Sequence, residues 1–110
     1  MVGPAHGASF YFFRTENGFS ETIAEEYHWV AAAEEADRLG ADVCQTSLGY
    51  LTFDGGVGDH SYPDLDGNTT VITLAADLAA SRGMVVVNSA GNEGNNAWGY
   101  IIAPADGDSV

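Results

Sequence analysis

Apolar residues fall in five clusters along the chain, with glycine-rich or acidic segments between them. From Ala8 to Arg14 the run Ala-Ser-Phe-Tyr-Phe-Phe-Arg is apolar, aromatic and too short for a globular helix, which predicts a strand. Gly3, Pro4 and Gly7 put turn geometry before it. From about Ser20 to Leu39 the pattern becomes helical, with Trp29, Val30, Ala33 and Ala36 on the apolar side; the small alanines permit close packing on a sheet. Ser20 is the predicted N-cap, and Glu21, Glu25 and Glu26 follow it where the helix dipole favours acids. Gly40 is placed to end the helix in left-handed conformation.

Asp42 to Ser47 predicts a second short strand, parallel to the first through a right-handed crossover because a helix joins them. Asn68, Thr69 or Thr70 then caps a second helix carrying Ile72, Leu74, Ala75, Ala76, Leu78 and Ala79, which Gly83 stops. Met84-Val85-Val86-Val87-Asn88 is an uninterrupted β-branched run, expected of a parallel strand buried on both faces. Asp108 to Val110 offers the start of a further strand. The fold class is therefore α/β: a parallel sheet of β-α-β-α-β order with flanking helices. Asp54 to Asn68, rich in glycine and aspartate, is a surface loop of a length that is usually functional or mobile.

With 110 residues, 45% hydrophobic, the chain has material for one modest core, so residues 1–110 form one domain at most. No stretch is long and apolar enough to span a bilayer, and the start lacks the basic and apolar regions of a signal peptide. Sixteen acidic residues against three basic ones give a formal charge of -13. Such a surface repels phosphate backbones and anionic lipid, so no nucleic acid and no membrane is expected among its partners. The single cysteine, Cys44, excludes an internal disulfide and a multi-cysteine zinc site, and its surroundings suggest a buried thiol.

Ligands of open parallel α/β sheets bind beyond the carboxyl ends of the strands. Two segments leave strands there through small residues: Ser47-Leu48-Gly49-Tyr50 and Ser89-Ala90-Gly91-Asn92-Glu93-Gly94. The second exposes backbone N–H groups and adds an asparagine amide, a cluster suited to an anionic oxygen. On the local residues alone, the plainer reading of Gly91-Asn92 is a turn. Elsewhere, Asp64-Leu65-Asp66-Gly67-Asn68 opens like a calcium loop, but its glycine stands at the fourth position and Ala75 at the twelfth, so a helix-capping turn is expected. His28, between Tyr27 and Trp29, reads as structural. His60, with Asp59 and Asp64, reads as part of a solvated loop rather than a metal set. Glu16, Glu21, Glu25 and Glu26 read as a solvated acidic face, and Asp77, Glu34, Glu35 and Asp37 as helix surface.

Three segments in register resemble the central part of the subtilisin-like serine proteases: Ala41 to Tyr50, then Ala75-Ala76-Asp77 with Arg82 to Gly94, and finally Ala103-Pro104-Ala105-Asp106. In that family a strand ending in Ser-Leu-Gly and another ending in Ala-Gly-Asn occur in this order, followed by an apolar stretch and Pro-Ala. Gly7-Ala8-Ser9 is similar to the segment before the family's preceding strand, so the likeness extends over nearly the whole chain. The resemblance implies a serine endopeptidase in which Asn92 donates its side-chain amide to the tetrahedral intermediate. It implies that Ser47, Leu48 and Gly49 pair with the substrate backbone, and that Ser89, Ala90 and Gly91 wall the pocket for the residue before the scissile bond.

The family's Asp-(Ser/Thr)-Gly, His-Gly-Thr-His and Gly-Thr-Ser-Met-Ala-like motifs are absent from these 110 residues. His6-Gly7-Ala8-Ser9 leads into an aromatic strand instead of a helix and is not expected to be catalytic. The expectation is thus a central fragment of a peptidase domain, inactive alone, whose partners are the remainder of that domain and, in the parent, a polypeptide substrate. The parent is expected to be secreted or extracytoplasmic. No cofactor is called for; structural calcium in the parent has no motif here. Self-association through exposed strand edges is expected of such a fragment. The alternative is a non-catalytic α/β module that binds peptide without cleaving it.

Overall fold

Two neighbouring parallel strands joined through a helix form the centre of the chain, in a computed structural model that describes residues 3–92, 94–95, 97 and 99–110. Met1, Val2, Glu93, Asn96 and Trp98 lie outside the described residues. In chain order the elements are α1 (Ala24–Arg38), β1 (Val43–Thr46), two 3-10 turns (Asp54–Gly56 and Tyr62–Asp64), α2 (Val71–Ser81) and β2 (Val85–Asn88). The result is a small mixed α/β fold. Val43 pairs with Val85, Cys44 with Val86, Gln45 with Val87 and Thr46 with Asn88.

Because side chains alternate across a strand, this register sorts the sheet into two unlike faces. On one, Val86 is buried and Thr46 accepts a 3.1 Å hydrogen bond from Trp29 Nε1 of α1. Trp29, Ala33 and Ala36 of α1 join Ile72, Ala76 and Ala79 of α2, with Met84, Val86, Tyr50, Phe53 and Ala103, in one core cluster. The alanines, expected to pack on the sheet, also stand where the two helices meet in this core. The other face carries Val43 (58% exposed), Val85 (58%) and Val87 (48%). The expectation that Met84 to Val87 is buried on both faces is corrected: within this chain only one side of the strand is covered. Cys44 is half-buried rather than fully enclosed.

Ends of elements follow local chemistry in most places. Gly40 and Gly83 adopt φ of 77° and 103° after the two helices, where a side chain would be strained. Thr70 caps α2, its hydroxyl accepting from the Thr73 N–H. The start of α1 departs from expectation. Ile23, already helical and without a side-chain cap, precedes Ala24, while Ser20 Oγ accepts from Asn17 Nδ2. Glu25 does the capping from within the first turn: its carboxylate accepts the N–H groups of Thr22 (2.8 Å) and Asn17 (2.7 Å). A longer side chain reaching back satisfies the donors that a serine at position 20 is too far upstream to meet.

Ala8 to Arg14 forms no strand, so the β-α-β-α-β order is not seen: Phe10 is 78% exposed and Phe12 93%. A strand needs a neighbour for its N–H and C=O groups, and no ladder partner for this segment occurs among the described residues. Asp108 to Val110 is likewise not a strand. The N–H groups of Asp108 and Ser109 instead donate to the Asp77 carboxylate at 3.2 and 2.7 Å, which makes Asp77 a clasp for the last turn rather than plain helix surface.

Candidate functional site

The carboxyl ends of β1 and β2 lie side by side, as parallel pairing demands, and the chain leaves both through small residues. Ser89 N–H continues the ladder by donating to Thr46 O at 3.1 Å. Asn88 Nδ2 then crosses between the two exits, donating to Leu48 O (3.1 Å) and to Ser89 O (2.8 Å). With both amide hydrogens committed, Asn88 Oδ1 is turned inward, buried and without a partner among the described residues. Further along, Tyr50 N–H donates to Ala103 O at 2.8 Å in an isolated antiparallel bridge. Thr46 O, Leu48 O and Tyr50 N are thereby used within the protein.

A hollow of about 280 Å³ lies between these exits. Ser47, Leu48 and Gly49 form one side and Ser89, Gly91 and Asn92 the other, with Leu51, Thr52 and Ile102 completing it. Six of the seven residues singled out from sequence for this site therefore border one concavity. The seventh, Ala90, is exposed and does not line it. Ile102 was not singled out; the apolar run before Ala103-Pro104 carried no sign that one of its residues would face the hollow. Gly91 holds φ of 93°, so the turn reading of Gly91-Asn92 and the lining of the hollow are the same geometry. Asn92 is exposed there, where a carboxamide keeps its N–H groups available to a bound oxygen.

Leu51 and Thr52 are held by the loop behind them. His60 N–H donates to Leu51 O (2.7 Å), Asp59 accepts from Phe53 N–H (2.7 Å), and Asp54 both donates to Glu21 O and accepts from Glu21 N–H. His60 is not a solvated loop residue: its Nε2 bonds to Glu26, which is fully buried. Asp64 accepts from Ser61 N–H and Oγ, and these bonds hold its carboxyl below the ordinary value. It caps the 3-10 turn in its own loop, not α2.

The acidic run divides in the same way. Glu25 and Glu26 are buried at 1% and 0% exposure, contrary to a solvated face. Carboxylate oxygens of Glu16, Glu21 and Glu25 lie within 4.8 Å of one another. Glu16 accepts from Tyr50 Oη (2.5 Å) and Thr15 Oγ1 (3.0 Å), so Glu16 and Glu25 are engaged by the protein while Glu21 is exposed. Burial, then the bond to Glu16, holds the Tyr50 hydroxyl protonated far above its ordinary range.

His28 Nδ1 lies 3.1 Å from Thr15 O and His60 is taken by Glu26, so neither is set beside a serine as a general base. His6 is exposed near Phe10, away from the hollow. What the arrangement offers chemically is a hollow between two strand exits with an exposed asparagine carboxamide at its border. No protein-family model, curated protein or solved structure matches this chain.

Proposed function

We propose that this chain is the central part of a subtilisin-like serine endopeptidase domain, contributing the oxyanion-stabilising Asn92 and the substrate-pairing segment Ser47, Leu48 and Gly49. The observation that carries the reading is the convergence of the Ser-Leu-Gly and Ser-Ala-Gly-Asn segments on one hollow at the carboxyl edge of a parallel strand pair. A peptide laid along Ser47 to Gly49 would add a strand to the edge by main-chain bonds. Its scissile carbonyl would then come within reach of the Asn92 amide. The attacking serine, the histidine that takes its proton and the orienting aspartate belong to the rest of the parent domain in this reading.

The same reading accounts for the uncovered surfaces. In this reading Ala8 to Arg14, which forms no strand in this chain, would complete the β-α-β-α-β order only on pairing with the remainder of the domain, and Val43, Val85 and Val87 form the sheet face which that remainder covers. The parent is a secreted or extracytoplasmic hydrolase, and the reading calls for no cofactor.

The test is made on the full-length product of the gene that encodes this chain. A fluorophosphonate probe, which forms a covalent ester only with an activated serine, should label it, and the labelled protein should no longer cleave casein. Absence of both labelling and cleavage, in a protein that still binds extended peptide, would replace the endopeptidase with the non-catalytic peptide-binding module.

A further inference from the structure

Tyr62, in the 3-10 turn Tyr62–Asp64 of the long loop, rests its ring against that of Tyr100. The centroids are 4.6 Å apart and the ring planes tilted by 48°, a separation at which aromatic rings touch. Among the described residues no other two tyrosines meet in this way. The backbone near both is pinned. Ser61 and Asp64 exchange the bonds of a capping box around Tyr62, whose carbonyl accepts from Leu65 N–H at 3.1 Å. Ala103, shortly after Tyr100, is fully buried with its carbonyl bonded to Tyr50 N–H. Tyr62 is nevertheless 63% exposed, so reagents in solvent reach its ring, and the ring can turn about its own side-chain bonds.

We propose that Tyr62 and Tyr100 form an oxidative cross-linking site, at which a one-electron oxidant of the peroxidase class, driven by hydrogen peroxide, joins the two rings as dityrosine. Each phenol gives up one electron and its hydroxyl proton to become a tyrosyl radical. The two radicals couple through carbons ortho to their oxygens, forming one C–C bond, and the hydrogens on those carbons move to the oxygens to restore both phenols. The chain loses two hydrogen atoms, and the peroxide that accepts them becomes two waters. Proximity selects the pair: a radical on Tyr62 meets Tyr100 in the same molecule at an effective concentration far above that of any second chain. The other tyrosines lack such a neighbour. Tyr50 is buried with its hydroxyl donating to Glu16, and Tyr11 and Tyr27 are exposed with no tyrosine ring against them among the described residues. A net charge of -13 keeps other copies away at low salt. The new bond ties the long loop to the segment that carries Ile102, adding a covalent clasp to the bond from His60 N–H to Leu51 O at the border of the hollow. It requires nothing of the endopeptidase reading.

The test treats the 110-residue chain, dilute and at low salt, with a haem peroxidase and hydrogen peroxide. Monomer is separated from cross-linked oligomer before digestion and mass spectrometry. The monomer should carry dityrosine fluorescence, and its digest one linked pair of peptides, containing Tyr62 and Tyr100 and lighter than their sum by two hydrogen atoms. Tyr62→Phe keeps the ring and loses only the hydroxyl; it should leave the circular dichroism unchanged and abolish both the linked pair and the monomer's fluorescence. Monomer linked through other tyrosines as often as through this pair would overturn the proposal. So would monomer free of dityrosine under conditions that convert free tyrosine to dityrosine in a parallel vessel, because the oxidant is then competent and the pair does not couple.

Discussion

The carboxylate of Glu26, in the first turn of α1, bonds His60 Nε2 with one oxygen and the Ile72 N–H with the other, the latter at 3.2 Å. One fully buried group thus joins the first helix, the start of the second and the long loop whose other end borders the hollow. Removing one member of such a buried pair strands the other, at a cost of about 3 to 5 kcal/mol. Glu26→Ala should lower the free energy of urea unfolding by about 3 kcal/mol. His60→Ala should cost a comparable amount, because it leaves the fully buried Glu26 carboxylate with only its bond to the Ile72 N–H. The double variant should fall short of the sum by at least about 1 kcal/mol. Additivity within about 0.5 kcal/mol would show that the two residues do not act together.

Glu21 supplies a pH-dependent prediction. Partial burial, and then the charges of Glu25, Glu16 and Asp54, hold its carboxyl above the ordinary 4.5. The folded state therefore favours the protonated form; the stabilisation it brings is full below the ordinary value and is lost as pH rises through the raised one. Glu21→Gln is neutral throughout. Solvent screening keeps its gain near pH 7 to roughly 0.5 kcal/mol or less, and that gain should vanish near pH 3, where the parent residue is itself protonated. Chemical unfolding of both proteins across this range checks the sign, and a gain that persists unchanged into acid would contradict it.

Self-association should rise with salt. Phe12 and Phe19 are 93% and 100% exposed, Val43 and Val85 each 58%, and Ser9 to Arg14 joins no ladder among the described residues, leaving backbone of the kind that templates pairing with another chain. A net charge of -13 opposes contact at low ionic strength and is screened over about 10 Å at 0.1 M salt. Sedimentation at high protein concentration should show larger species as salt increases. A strict monomer at both extremes would mean that these surfaces do not template association.

The 110-residue chain by itself should hydrolyse neither casein nor a peptide ester, because a donor without a nucleophile leaves only a small residual acceleration. Turnover that survives repurification and is abolished by a serine-directed inhibitor would sink the fragment reading.

In the full-length protein, Asn92→Ala should lower kcat far more than it raises KM. In the proposed endopeptidase, the oxygen that Asn92 would serve becomes negative only as the carbonyl turns tetrahedral, so the bond would strengthen in the transition state. In subtilisin-like proteases loss of such a donor costs about 10² to 10³ in kcat. Active-site titration counts competent molecules first, which separates lost chemistry from lost folding. A kcat per titrated site within about threefold of the parent would mean that Asn92 only shapes the turn.

Features that depend on neighbours in sequence were legible before the structure. Thr70 at the start of α2, Gly40 and Gly83 after the helices, and the parallel pairing of Val43–Thr46 with Val85–Asn88 each follow from local patterns. The misreadings involve partners that a local pattern does not name, most of them distant in sequence. Glu26 looks like an ordinary first-turn acid until His60, 34 residues away, is placed against it. Ser20 looks like a cap because nothing local shows that Glu25 will reach back to Thr22. Ala8 to Arg14 has the composition of a strand, but composition does not supply the neighbouring backbone. Of the site, the two small-residue exits were legible from the strand ends. Ile102 was not, because its part arises from three segments meeting.

The backbone bonds between Thr46 and Tyr50 have a consequence for evolution and engineering. Thr46 O accepts from Ser89 N–H, Leu48 O accepts from Asn88 Nδ2 and Tyr50 N–H donates to Ala103 O, so the segment leaving β1 is pinned at three points to three different partners. Its side chains can be exchanged one for one while these backbone groups keep their partners. Inserting or deleting a residue before Tyr50 would draw at least one of the three bonds out of reach. Length, more than side-chain identity, is the constrained property of this segment.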